Sequence, residues 1–241
     1  MPSVGEPDTR SRILDAAESL FMQHGLEATT LRMITTEANA NLAAVNYHFG
    51  SKDALIEELF RRRLNVLIGD CLAALDRIEA EAGGEPVRPS RIVEAFFGAA
   101  LRLAADRKGG GAAFMRLLSR TYTEPTEFIR RFLAREYAEV VRRYREALFK
   151  ALPETPREEI VWRLHFMLGA MSYAVSGSDA LNLLGEEGNY ATDPATLYAR
   201  LMSFLIGGLR APLPAVASAT TAQPGTPTQD HPAKPRGRKA A

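Results

Sequence analysis

Asn41, Asn46, Tyr47 and His48 place four hydrogen-bonding groups in one short segment, NLAAVNYHFGSK (41–52). At 3.6 residues per turn, Leu42, Val45 and Phe49 share one side and are expected to dock inward. Ala43, Ala44 and Tyr47 lie opposite, flanked by Asn46 and His48, and the helix stops at Gly50. Two small residues, a tyrosine and two hydrogen-bonding groups make an outward face suited to a nucleic-acid groove. Alanine allows close approach and contact with a thymine methyl, asparagine can read a base edge, and tyrosine and histidine can bond phosphate oxygens. Lys52 falls in the first turn of the next helix, where its charge and the free N–H groups around Ser51 suit a further phosphate.

Bulk charge does not point the same way. The chain of 241 residues carries a net charge of +1, and residues 1–68 hold seven Lys/Arg against nine Asp/Glu. The signal is local: Ala38 to Lys52 contains no acid, and a phosphate-facing surface needs that absence more than it needs a high overall charge. Taken alone, the same residues also fit a three-helix packing unit with no DNA role.

The elements that must hold this face are helical. Thr9 is a plausible N-cap for a first helix with Ile13, Ala17, Leu20 and Phe21 inward and Gly25 just past its end. Thr30 caps a short helix, Leu31 to Ala38; Asn39-Ala40 turns the chain; Asn41 caps the quoted helix. Two short helices joined by a tight turn and braced by a longer one make a helix-turn-helix unit. Ser51 then caps a long apolar helix reaching GGEPVRP (83–89). Further helices are expected from Ser90 to KGGG (108–111), around Phe114 to Tyr122, from about Thr126 to Leu152, from Arg157 to Leu184, and from Pro194 to about Leu209. The fold class is all-α. Residues 1–8 are expected to be disordered, 9–52 to form the helix-turn-helix domain with its motif at 30–49, and 53–211 to form a second helical domain. The Pro-, Ala- and Thr-rich 212–241, ending in KPRGRKAA, is expected to be a disordered basic tail.

The composition excludes several classes. The one cysteine, Cys71, permits no intrachain disulfide, and the polar start MPSVGEPDTR shows no signal peptide. No apolar run reaches membrane-spanning length, so a soluble cytoplasmic protein is expected. The glycines at 109–111 follow a helix rather than a strand and lack the context of a phosphate loop. His24, His48, His165, His231 and Cys71 have no metal-ligand spacing, and no nucleophile motif occurs, so neither catalysis nor a metal or cofactor is expected.

The second domain is rich in large apolar side chains. Phe96, Phe97, Leu101, Phe114, Met115, Leu118, Tyr122, Phe128, Phe132, Trp162, Phe166 and Met167 could line an adaptable pocket or simply pack the core. Arg116 and Arg163 are candidates for an anionic head group or for surface ion pairs, and His165 for either a ligand anchor or a core histidine. Gly169, Tyr173 and Gly177 sit on a segment with many small residues, which could pair closely with Tyr198, Leu201, Met202 and Leu205 of the last helix.

RILDAAESLFMQHG, TTLRMIT and NLAAVNYHFGSKDALIEELF occur together over residues 9–60 and resemble the DNA-binding domain of the TetR family of transcriptional repressors. The resemblance implies that Thr30 and Arg32 meet the DNA backbone and that Asn41, Ala43, Ala44, Asn46, Tyr47, His48 and Lys52 form the DNA face. It implies a homodimer on an inverted-repeat operator, with the final two helices of each subunit forming the interface. GAAFMRLLSRTYTEP and VWRLHFMLGAMSYAVSGSDAL are similar to the fatty-acid-responsive PsrA branch of that family, which implies a long-chain fatty acid or acyl-CoA as effector; another hydrophobic small molecule or drug is the alternative. One departure is Asn39, where the family usually has glycine. Asparagine tolerates the left-handed conformation such a turn needs.

Overall fold

Side chains that bond to the backbone set the first four helices of the computed structural model. The structure describes residues 8–106, 108–123, 126–176 and 193–214. Helix α1 (Thr9–His24) is capped by Asp8, whose carboxylate accepts from the Ser11 N–H at 2.7 Å, so the cap lies one residue before the expected Thr9. It ends at Gly25, whose φ of 85° suits glycine and whose N–H returns to the Phe21 carbonyl at 2.8 Å. Thr30 caps α2 (Leu31–Glu37), Asn41 caps α3 (Leu42–Phe49), and Ser51 caps α4 (Lys52–Ala82). Each such cap contributes about 1 kcal/mol. Asn39, between α2 and α3, has a φ of 46°, the left-handed conformation expected of it.

Helices α1, α2 and α3 pack on one another around Ile13, Ala17, Phe21, Ile34 and Val45, all fully buried. The 31 residues of α4 span about 46 Å at 1.5 Å per residue. Its first turns bury Leu55, Leu59 and Phe60; its later turns bury Leu64, Leu75 and Ile78. Packing against α1 and α3 at one end and α5 and α8 further along makes α4 part of both helical groups. Charged pairs fasten α1 to it: Arg10–Glu58 and Arg62–Asp15 at 2.8 Å, and the largely buried Arg63–Glu18 at 2.6 Å.

Beyond Gly83 run α5 (Pro89–Ala105), α6 (Gly111–Thr123), α7 (Glu127–Glu136), α8 (Ala138–Ala151), α9 (Arg157–Val175) and α10 (Pro194–Leu209). Helix α5 packs against α4, α6, α8, α9 and α10. The single helix expected from Thr126 to Leu152 is two helices. The chain breaks at Tyr137 (φ −88°, ψ −4°), a half-buried residue whose hydroxyl is hydrogen-bonded with that of Tyr122 on α6. Tertiary packing makes that break, since neither glycine nor proline marks it. Among the described residues there is no strand, and no helix is long and apolar enough to cross a membrane. The expectations for 1–7, for 177–184 and for the tail from 215 lie outside the described residues.

Candidate functional site

Val45 anchors α3, fully buried, so the opposite side of the helix turns outward. Tyr47 is 85% exposed, Ala43 and Asn46 are also exposed, and Ala44 and His48 are half-buried. The Tyr47 and His48 rings meet edge-on with centroids 5.0 Å apart. Phe49 is half-buried, with the Arg10 guanidinium 5.5 Å over its ring. Leu42 departs from the expected inward position. It is 52% exposed, at the first position of α3.

The backbone-facing candidates separate into two kinds. Arg32 is exposed at the start of α2. Thr30 and Asn41 are exposed as well, but their side-chain oxygens already accept from Met33 and Ala44 N–H groups. Lys52 is half-buried and donates to the Leu26 carbonyl at 2.7 Å. Its ammonium therefore ties the start of α4 to the loop after α1, in place of the free cation expected from sequence.

An apolar cavity of about 260 Å³ lies among α5, α8 and α9. Phe96 and Phe97 form part of its wall, and His165 reaches it. The other pocket candidates lie elsewhere. Phe114, Met115, Leu118 and Phe132 are at most 1% exposed, and Leu101 and Met167 are also buried. Phe60 of α4 packs edge-on to Phe114 and Phe132, with centroids 5.6 and 6.3 Å apart, so this cluster is core. Tyr122 and Phe128 pack half-buried against that core.

Trp162 and Phe166 point outward, 51% and 65% exposed. With Gly169 and Tyr173 they make a stripe along α9, and no atom lies within 4 Å of the position a Cβ on Gly169 would take. Phe204 of α10 is 69% exposed beside the equally open Gly207 and Gly208. Leu201, Met202 and Leu205 are buried, and Tyr198 packs half-buried with its hydroxyl beside Gly98, so these four face their own subunit. Gly177 lies outside the described residues.

The head-group candidates also part company. Arg163 is 8% exposed, paired with Glu159 at 2.9 Å, and donates to the carbonyls of Leu209 and Ala211. It therefore closes the C-terminal end of α10, whose last carbonyls need donors. Arg116 is exposed on α6 and does not line the cavity. Arg145 does line it and was not singled out from sequence; the run RRYRE gives no hint which of its three arginines turns that way.

Cys71 is buried, and burial pushes its thiol up to about 12. The Tyr144 hydroxyl donates to the Cys71 carbonyl at 2.7 Å. Among the described residues no group of three or more His, Cys, Asp or Glu is placed to hold a metal.

Residues 13–59 match the sequence profile described as bacterial regulatory proteins, tetR family, and residues 94–208 match tetracyclin repressor-like, C-terminal domain. The chain is 32% identical over 83 residues to the transcriptional regulator BetI of Vibrio atlanticus, a match covering 34% of this chain and 42% of BetI. It is 37% identical over 65 residues to the transcriptional repressor KstR2 of Rhodococcus jostii, covering 27% and 32%. The matched segments thus span less than half of these curated relatives. In fold, the chain is similar to the fatty acid degradation regulator FadR of Bacillus halodurans (TM-score 0.57, 15% identity, 86% of this chain and 98% of that one). It is similarly close to the ketosteroid regulator KstR2 of Mycobacterium tuberculosis (TM-score 0.56, 18% identity, 85% and 96%). A helix-turn-helix unit and a helical second domain, each matched by its own profile, place this chain in the TetR family of transcriptional regulators.

Proposed function

We propose that the protein is a homodimeric repressor that binds an inverted-repeat operator and leaves it when a long-chain acyl effector enters the α5–α8–α9 cavity. The observation that carries the DNA reading is the outward face of α3, where Tyr47, Asn46 and Ala43 are exposed in a stretch without acids. Tyrosine and asparagine at that face supply contacts to phosphate and base edge, and the exposed Leu42 adds an apolar group fit for a thymine methyl. Two copies of α3, one per subunit, read two half-sites about one helical turn apart or somewhat more.

The exposed stripe of Trp162, Phe166, Gly169 and Tyr173, with Phe204, Gly207 and Gly208 alongside, supports the dimer. Large apolar groups interspersed with open glycines let helices of a second copy approach closely. The cavity supports an apolar effector, since each buried methylene contributes about 0.8 kcal/mol. Release requires the effector to prefer the state that cannot bind DNA. Helix α4 touches both the DNA-binding helices and the walls of the second domain, so its displacement would change the spacing of the two α3 helices.

A gel-shift titration tests the reading: operator-bound protein is challenged with straight-chain carboxylic acids of increasing length. DNA affinity is expected to fall more steeply as the chain lengthens, up to a cutoff set by the cavity. Acids that bind without releasing DNA would refute the release mechanism. Release only by a planar aromatic drug would refute the acyl assignment.

A further inference from the structure

The cavity wall is apolar except at two places. Ile92, Val93, Phe96, Phe97, Leu148 and Leu168 are among its hydrocarbon surfaces. Tyr144 also lines it, but that hydroxyl is already donated to the Cys71 carbonyl at 2.7 Å. The remaining polar side chains of the lining are Arg145 from α8 and His165 from α9, both solvent-exposed, so both stand where the cavity meets water.

The arginines beside Arg145 on α8 are engaged. Arg142 is held by Glu139 and Glu146, and Arg143 by Asp76 and Glu79. Among the described residues no carboxylate lies within ion-pair distance of Arg145. His165 lies beside the rings of Trp162 and Phe166, its near neighbours on α9, with centroids 5.9 Å away in each case. Arg145 on α8, without a counter-ion among the described residues, and the His165 imidazole on α9 thus line the same hydrocarbon-walled hole. That arrangement matches an amphiphile with one anionic end. The tail enters the hole, and the guanidinium donates to the head group in charge-assisted hydrogen bonds.

We propose that Arg145 and His165 form an anion clamp at the cavity mouth that makes the site selective for acyl chains ending in a negative charge. This rests on the acyl-cavity reading above and adds to it the head-group chemistry and the residues that recognise it. It also fixes the ligand's direction: the head lies at the α8–α9 edge, next to Trp162 and Phe166, and the tail points toward α5.

The test is isothermal titration of the full-length protein with two probes of equal chain length, dodecanoate and dodecan-1-ol, with dodecanoyl-CoA as a third. The wild-type protein is expected to bind dodecanoate about tenfold or more tightly than the alcohol, the scale of one charge-assisted hydrogen bond. Arg145→Gln, and more fully Arg145→Gln with His165→Gln, is expected to bring the acid down to the affinity of the alcohol while the alcohol itself is unchanged. Both positions are exposed, and an unchanged melting temperature confirms that the variants fold. Binding of dodecanoyl-CoA but not dodecanoate, with the same loss in Arg145→Gln, supports the clamp and assigns its anion to the coenzyme A phosphates. Equal binding of acid and alcohol by the wild-type protein overturns the clamp and leaves the acyl cavity standing, as does a preference that survives in the double variant. Failure of all three probes to bind overturns the clamp and the acyl cavity together.

Discussion

Phe114→Ala separates core from cavity among the large apolar residues of the second domain. Phe114 is completely buried and meets Phe60 edge-on at 5.6 Å. Removing its ring deletes a buried aromatic and leaves a hole bounded by α4 and α6, which costs about 3–5 kcal/mol. Against a typical total of about 5–15 kcal/mol, that is a large fraction of the stability. Phe96→Ala is the comparison. That ring is half-buried on the cavity wall, packed 5.0 Å from both Phe97 and Tyr144. Its loss is expected to cost about 1–2 kcal/mol, since part of the ring already faces open space. Urea denaturation followed by circular dichroism gives both values, at one fixed protein concentration because a dimer's stability depends on it. Dodecanoate titration then gives the other half: Phe96→Ala should weaken binding several-fold, and the folded fraction of Phe114→Ala should bind as the parent does. A Phe114→Ala protein of unchanged stability that no longer binds acyl chains would place the ligand in the α4–α6–α7 aromatic cluster and refute the assignment made here.

Three further outcomes follow from the contacts described. Arg163→Met should lower stability by about 2–3 kcal/mol by urea denaturation, because the buried Leu209 carbonyl and Glu159 lose their donor; the preference for dodecanoate over dodecan-1-ol should be unaltered. Lys52→Ala should lower the melting temperature while leaving the slope of log affinity against log salt nearly unchanged, since its ammonium is bonded to the Leu26 carbonyl; a slope reduced by about one unit would show a phosphate contact instead. Alkaline stability should fall as well. Burial raises the thiol of Cys71 and the hydroxyl of Tyr122 to about 12, and raises Tyr137 and Tyr144 too. In each case the unfolded chain gives up its proton first, so stability present below pH 9.0, the ordinary value for the thiol, drains away as pH rises towards 12. Urea midpoints measured from pH 8 to 11 should decline across that range; a flat profile would mean these groups are not buried as described.

Local chemistry was legible in the sequence and global facing was not. Thr30, Asn41 and Ser51 cap their helices as read, because a cap depends on a side chain and a backbone N–H two or three residues away. At the start of α1 the cap is Asp8 and not Thr9; both residue types can cap and they are adjacent. The break at Tyr137 carries no local mark; the residue there is hydrogen-bonded to Tyr122 of α6, a contact no sequence pattern announces. On α9, apolar residues occur on every side, so periodicity could not say that Trp162 and Phe166 face out while Met167 faces in. Arg145 and Arg163 posed the same difficulty in reverse. Arg145 sits on a highly charged helix and Arg163 on an apolar one, and only the tertiary arrangement puts one at a cavity wall and the other against the end of α10.

Selection from a randomised duplex DNA library by the wild-type protein and by Tyr47→Ala in parallel tests directly whether α3 reads the operator. Tyr47 is 85% exposed, so the variant should fold with stability within about 0.5 kcal/mol of the parent. The wild-type protein should enrich an inverted repeat, and Tyr47→Ala should enrich nothing. Enrichment of the same repeat by Tyr47→Ala, or of a single half-site by the wild-type protein, would contradict the assignment of α3 as the operator-reading helix of a dimer.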